Sequence, residues 1–365
     1  MREEKSSRNL PALPWRRFLV TGGAGFIGSH FIRFLLRHYP RAEVTNLDAL
    51  TYAGVTDKSG QPLNLREVSS EPRYHFVRGD IRDAALVRSL ARKAEVIVNF
   101  AAETHVDRSI ISAQPFLTTN VVGTQVLLDV AREAGVARFL QIGTDEVYGD
   151  WWNKEGRASE DAPLKPSSPY AASKAAADLL VLAYHRTYAL PVLITRSTNN
   201  YGPYQYPEKF IPLAITNLLE EKKIPLYGDG SQIRDWLYVE DNCAALCFVL
   251  AKGKPGNVYN VGACQNPEVS NREILYLLLR EMKMPTSYIQ RVTDRPGHDR
   301  RYAVDISRLR ALGWQPRISL REGLKCTIAW YRREQRWWRW IKSGEFARWY
   351  EHNYISREKT FRAAG

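Results

Sequence analysis

The sequence predicts an α/β protein: a doubly wound parallel sheet with a smaller α/β unit interleaved with it. Three observations carry this. Short apolar segments alternate with helical ones through the first half of the 365-residue chain. A glycine-rich turn, TGGAGFIG (21–28), joins the first strand to the first helix. A carboxylate, Asp48, stands twenty residues past Gly28, at the end of the second strand.

The elements follow in order. RRFLVTG (16–22) reads as a strand and GFIGSHFIRFLLRHY as a helix. Strands follow at 42–48 (AEVTNLD) and 74–80 (YHFVRGD), then a helix around 82–92 and a strand at 95–102 (EVIVNFAA). A helix near 115–134 leads to RFLQIGT (138–144), and one near 168–189 leads to PVLITRS (191–197). Strands that alternate with helices build βαβ units. The second half is less regular. Proline and glycine cluster over 202–230, which predicts loops around a site, and YNVG (259–262) reads as one more strand. Helices are expected near 240–251, 270–282 and 320–341. The chain divides into 16–198 with about 233–262 as the dinucleotide-binding Rossmann unit, and 199–232 with about 263–345 as the substrate unit. Residues 1–15 and 346–365 are terminal extensions.

Composition narrows the function classes. A hydrophobic fraction of 44% supplies a core, so disorder of the whole chain is excluded. The first fifteen residues lack the apolar stretch of a secretory signal, and no run reaches the length of a membrane span. A cytoplasmic protein without a membrane partner is expected. The four cysteines form no C-x-x-C pair, and Cys243 and Cys247 lie at i, i+4 in an apolar helix, as buried free thiols do. No metal site is expected. The 52 basic and 39 acidic residues give a net charge of +13. Such a surface attracts anions, nucleic acid or phosphorylated metabolites, but no RNA-recognition motif is present.

The glycine turn is the first chemical feature. Gly22, Gly25 and Gly28 let backbone amides approach a pyrophosphate, and the helix N-terminus adds partial positive charge. Asp48 is placed to accept bonds from an adenosine ribose and to repel a 2′-phosphate, which favours NAD over NADP. Asp80 and the alanines Ala101 and Ala102 close the next two strands, where such a sheet binds its ligand. Asp80 can reach an adenine; the alanines let a cofactor lie close.

Two further features form a reacting centre. YAASK (170–174) puts Tyr170 and Lys174 on one helix face. A nearby ammonium favours phenolate, so the tyrosine pKa is expected to fall, suiting proton transfer from a hydroxyl as hydride leaves the same carbon. IGTDEVYGD (142–150) sets Asp145 beside Glu146 behind Thr144. Adjacent acids at a strand end repel each other and resist burial. Such a pair suits chemistry that needs one acid and one base.

Together these features resemble the extended short-chain dehydrogenase/reductases. TGGAGFIGSHF, LDALTYAG, GDIRD, FAAETHVDRSI, TDEVYGD, PSSPYAASKAAADLL, ITRSTNNYGPYQYPEKFIPL, YGDGSQIRDWLYVED and DRPGHDRRYAVD resemble, in order and spacing, the nucleotide-sugar 4,6-dehydratases, the dTDP-glucose type in particular. The likeness runs from about residue 16 to about 340. It implies oxidation at C4 of a hexose, loss of water across C5–C6 and return of hydride to C6, with tightly bound, recycled NAD and dTDP-glucose as substrate. It implies Asp145 as acid, Glu146 as base, and Thr144 with Tyr170 at the C4 oxygen. Lys174 also holds the nicotinamide ribose. The cofactor set it implies is Gly22, Gly25, Phe26, Ile27, Gly28, Asp48, Leu50, Thr51, Asp80, Ile81, Ala101, Ala102 and Asn200, with Tyr170 and Lys174.

The same likeness implies a sugar-nucleotide set: Thr104 and Thr144 at the hexose; Asn199, Lys209, Phe210, Arg234, Arg295 and His298; and Leu226 and Tyr227 beside the base. Arginine forks suit the diphosphate such a substrate carries. A homodimer that pairs the helices near 115–134 and 168–189 is implied too. Related 4-epimerases typically lack the acid pair, and GDP-mannose 4,6-dehydratases and UDP-glucuronate decarboxylases usually carry Ser-Glu there. The alternatives are such an enzyme on another sugar nucleotide, or a non-enzymatic NAD- or RNA-binding protein. Asp145 speaks against the first and the complete reacting set against the second. The loop 53–68, Gly143 and the segment 262–271 depart from the usual pattern; the Trp-rich tail partly resembles the family's tails, and the last twenty residues have no reading from sequence.

Overall fold

A computed structural model describes residues 10–51, 54–57, 59–294 and 297–343. The first part of the chain gives β1 (Arg17–Thr21), α1 (Phe26–His38), β2 (Glu43–Asp48), β3 (Tyr74–Arg78), α2 (Ala84–Ala91) and β4 (Val96–Asn99). It continues with α3 (Val106–Ile111), α4 (Gln114–Phe116), a π-helical turn Leu117–Gly123, α5 (Thr124–Ala134), β5 (Arg138–Thr144), α6 (Pro169–Tyr188) and β6 (Val192–Ser197). The rest gives β7 (Asn199–Tyr201), α7 (Phe210–Leu219), β8 (Ile224–Tyr227), β9 (Ile233–Arg234), β10 (Trp236–Tyr238), α8 (Val239–Lys252) and β11 (Val258–Val261). It closes with β12 (Val269–Ser270), α9 (Asn271–Met282), β13 (Ile289–Val292), α10 (Ser307–Ala311), α11 (Leu320–Arg333) and α12 (Gln335–Lys342).

Seven strands form one parallel sheet in the order β11-β6-β5-β4-β1-β2-β3. The expected doubly wound sheet is found. Its central strands are buried on both faces, so the residues of β1 alternate between two cores. Phe18 and Val20 pack with α1 and α8 on one side. Leu19 packs with residues of α2, α5 and α6 on the other. A third core gathers Tyr201, Ile215, Trp236, Leu275, Tyr331 and Trp338 from the later elements.

Two readings need correction. The span 202–230 is not loop throughout: α7 and β8 lie in it. Pro212 sits in the first turn of α7, where a missing N–H costs no helical bond. The helix expected over 320–341 is broken at Glu334 into α11 and α12. Cys243 and Cys247 are buried free thiols, but Cys326 is exposed.

Candidate active site

The winding reverses between β1 and β4, which opens a crevice beyond their carboxyl ends. A cavity of about 690 Å³ occupies it. Gly22 has a φ of +69°, and a Cβ there would lie 2.5 Å from the Ala101 amide nitrogen. A Cβ on Gly28 would lie 2.5 Å from the Gly22 carbonyl oxygen. Only glycine lets the turn close this tightly on β4 and α1. Helix α1 starts with no side-chain cap and no acid in its first turn, which keeps its leading amides available for an anion. This cradle fits a dinucleotide.

Asp48 accepts N–H bonds from Ala24 and Leu50, both at 2.8 Å. Burial pushes its carboxyl pKa up. Each oxygen retains acceptor capacity for a ribose hydroxyl. Phe26, Ile27, Thr51, Asp80, Ile81, Ala101, Ala102 and Asn200 line the cavity with the three glycines. Leu50 does not; it takes a left-handed φ of 54°, and its amide serves Asp48. Asp80 is forked by Arg82 at 3.0 and 2.6 Å, and the N-cap of α2 is Asp83.

The reacting set is built on β5 and α6. Thr144 ends β5, caps the short 3-10 turn Asp145–Tyr148, and accepts from the Glu146 N–H at 3.3 Å. Ser168 caps α6 by accepting from the Ala171 N–H, which fixes Tyr170 in its first turn. Thr144, Asp145, Glu146, Tyr170 and Lys174 all line the one cavity. Tyr170 lies close enough to Thr144 for that side chain to favour its phenolate. Asp145 is 3% exposed. Burial, then the charge of Glu146, pushes its pKa well above the carboxylate range. Its Oδ1 accepts from the Thr144 hydroxyl at 3.3 Å, and its Oδ2 has no hydrogen-bond partner among the described residues.

One electrostatic expectation fails. The Tyr170 pKa is raised, not lowered, by burial first and by Glu146 next. The Lys174 Nζ donates to the Ile142 carbonyl at 2.6 Å, so its charge is spent on the sheet end rather than on the phenol. Burial lowers the Lys174 pKa to about 8, opposed by Asp178 one turn further along α6. Asp178 is itself paired with Arg196 of β6 at 2.9 Å.

The sugar-nucleotide set is divided. Thr104, Asn199 and Lys209 line the cavity, and the Lys209 Nζ donates to the Thr104 carbonyl at 3.1 Å. Phe210, Leu226, Tyr227, Arg234 and His298 are not part of its wall. Phe210 stacks on Trp236, and Leu226 is 2% exposed within the third core, where an apolar side chain is held by packing. Tyr227 donates to Asp107 and meets the His298 ring edge-on. His298 lies 2.6 Å from Asp294. Arg234 is buried against Tyr302, close enough for its charge to oppose the rise at Asp145. Arg295 lies outside the described residues.

Sequence reasoning missed two residues. Asn120, in the π-helical turn, bonds both the N–H and the carbonyl of Glu103 and donates to Ser173 of α6. π-turns of this kind mark functional sites; the signal was one buried amide in an apolar helical run. Glu208, wholly buried on the cavity wall, lies 3.5 Å from Arg108 and 3.9 Å from His105. Nothing in its local pattern announced it.

The family model for GDP-mannose 4,6 dehydratase matches residues 19–327. The dTDP-glucose 4,6-dehydratase of Actinoplanes sp. is 48% identical, covering 88% of this chain and 99% of its own length. The low-salt glycan biosynthesis protein Agl12 of Haloferax volcanii is 52% identical over 86% of this chain and 97% of its own. A crystal structure of dTDP-glucose 4,6-dehydratase from Streptomyces venezuelae with NAD bound superposes with a TM-score of 0.85 at 50% identity, covering 89% of this chain and all of that one. The NAD complex of the Bacillus anthracis dTDP-glucose 4,6-dehydratase gives 0.82 at 44%, over 90% of this chain and all of that one.

Proposed function

This chain belongs to the dTDP-glucose 4,6-dehydratase family, and from that premise we propose that Thr144, Asp145, Glu146, Tyr170 and Lys174 convert dTDP-glucose to dTDP-4-keto-6-deoxyglucose. The observation that carries this reading is the acid pair Asp145–Glu146 on the same cavity wall as Tyr170 and Lys174. A tyrosine and lysine serve oxidation at C4; only elimination needs the pair as well.

The residues divide the work. Tyr170 and Thr144 hold the C4 oxygen between them, and Tyr170 exchanges its proton. Glu146 takes the C5 proton, which the C4 ketone has made acidic. Asp145, whose acid form burial favours, gives its proton to the departing C6 hydroxyl. Lys174 and Asn200 flank the nicotinamide end, while the glycine turn and α1 hold the pyrophosphate. When bound, NAD supplies a hydride acceptor that later returns the hydride, together with a positive charge that counters the carboxylates around Tyr170. In this reading 16–198 with about 233–262 carries NAD, and 199–232 with about 263–345 carries the sugar nucleotide. Lys209 and Arg234, with Arg295 and His298, supply charge for the diphosphate.

Incubation with dTDP-glucose, followed by mass analysis, tests the reaction. A product lighter by one water, with no net consumption of NAD, is expected. Turnover of a UDP- or GDP-sugar in place of dTDP-glucose would overturn the substrate assignment.

The partner is a second copy. Ile111 of α3, Leu117 and Val122 of the π-helical turn, and Leu179 of α6 are 61%, 47%, 48% and 57% exposed on neighbouring helices. Apolar side chains gathered on one face mark an interface. Leu179→Arg is expected to give monomers by sedimentation at concentrations where the parent protein is dimeric; an unchanged dimer would reject this face. The protein works in the cytoplasm, a reducing compartment that suits four cysteines that form no disulfide. No described helix is long and apolar enough to cross a membrane.

A further inference from the structure

The longer loop before β3 and the Trp-rich end of the chain take no part in the reaction described above. They meet at one buried side chain. Asn64, in the 3-10 turn Leu63–Val68, is 2% exposed. Its Nδ2 donates to the Ala24 carbonyl at 2.9 Å, and its Oδ1 accepts from the Trp337 Nε1 at 3.0 Å. Ala24 lies inside the glycine turn, and its own N–H is held by Asp48 at 2.8 Å. The middle of the turn is thus pinned from both sides, by the ribose carboxylate and by Asn64.

The loop is fastened a second time. The Arg33 guanidinium of α1 donates to the Asn64 carbonyl and lies 4.3 Å over the Tyr204 ring. The Tyr204 hydroxyl donates to Glu67 at 2.7 Å, and its ring packs on Trp330 and Trp337. Tyr204 also lines the cavity.

We propose that Asn64 and Trp337 form a clasp that holds the glycine turn in its pyrophosphate-binding shape and so slows the loss of NAD. Both are positioning residues; neither touches the reacting carbons. The proposal rests on the NAD-dependent reading above. A binding loop fixed before its ligand arrives loses less freedom on binding and holds the ligand longer. A cofactor restored to its starting state in every cycle gains from such retention, because release serves no step.

The control lies on the same helix. Trp338 is fully buried and its Nε1 donates to the Tyr331 carbonyl at 2.8 Å, with no link to Asn64. The test compares Trp337→Phe, Asn64→Asp and Trp338→Phe, each purified with its NAD. Bound nucleotide is followed after rapid gel filtration into NAD-free buffer. Trp337→Phe keeps an aromatic ring and removes only the donor. Asn64→Asp keeps the acceptor for Trp337 and sets an oxygen against the Ala24 carbonyl. Both are expected to release NAD about ten-fold faster than the parent, since a buried polar group is left unpaired. Their KM for added NAD should rise, with kcat at saturating NAD unchanged. Trp338→Phe should lower the melting temperature and leave NAD release as it was. Release at the parent rate from Trp337→Phe and Asn64→Asp would overturn the clasp, as would equal acceleration by Trp338→Phe. A parent protein that holds no NAD would overturn the cofactor reading and the clasp with it.

Discussion

Glu146→Gln is expected to abolish exchange of the C5 proton with solvent and to lower turnover of dTDP-glucose about a thousand-fold, within the range that general bases supply. That loss corresponds to about 4 kcal/mol in the barrier. The substitution is nearly isosteric, and the bond to the Thr144 hydroxyl is donated by the backbone N–H of residue 146, not by its side chain, so the end of β5 should keep its shape. Its electrostatic effects point away from the C4 step. The Glu146 charge is the second cause, after burial, of the raised Asp145 and Tyr170 pKa values. Removing it lets both fall, which eases proton transfer through Tyr170. The C4 step should therefore be spared, with the main defect at C5 and a smaller one at C6, where Asp145 holds its proton less firmly. Deuterium incorporation from heavy water, followed by mass, reads that step directly. Incorporation at the parent rate would reject Glu146 as the base.

Fold and site were legible to different degrees, for physical reasons. The sheet was readable because parallel strands are buried on both faces and appear as short continuous apolar runs, such as VIVN of β4. The glycine turn was readable because its geometry admits no Cβ at Gly22 or Gly28. The grouping of Thr144, Asp145, Glu146, Tyr170 and Lys174 on one cavity wall was readable because strand ends and helix starts are local features. Other features were set by contacts between distant segments. β9 and β12 are two residues each and pair with one another, β9 bridging also to Arg301, so neither leaves a periodic trace. The break at Glu334 lies inside an amphipathic run, and tertiary packing of Trp330, Trp337 and Trp338 decides it. The direction of the Tyr170 shift was misjudged for the same reason. Helical spacing puts Lys174 near the phenol, but the sequence does not say that its ammonium is tied to Ile142 or that Tyr170 is buried beside two carboxylates.

Asp145→Asn should separate elimination from the proton transfer before it. Burial, then the Glu146 charge, pushes the Asp145 pKa well above the carboxylate range and so favours its acid form, and its Oδ2 has no hydrogen-bond partner among the described residues. That oxygen is placed to serve the C6 hydroxyl. Asparagine keeps the size of the side chain and a donor, but has no proton to give. Turnover of dTDP-glucose is expected to fall about a hundred-fold, the lower end of what a general acid contributes. C5 exchange should persist, because Glu146 is intact and the enolate has no exit through C6. The two variants thus break the reaction on opposite sides of one intermediate. A substrate with fluorine at C6 sharpens the contrast, since fluoride departs without being protonated. On that substrate Asp145→Asn should approach the parent rate, while Glu146→Gln should stay impaired. The pH dependence has a definite sign. A raised pKa means that the acid form is lost as pH rises through it, so the Asp145-dependent rate falls on the alkaline side. The fluorinated substrate should not show that fall. A variant equally slow on both substrates would show that Asp145 shapes the pocket rather than protonating the leaving group.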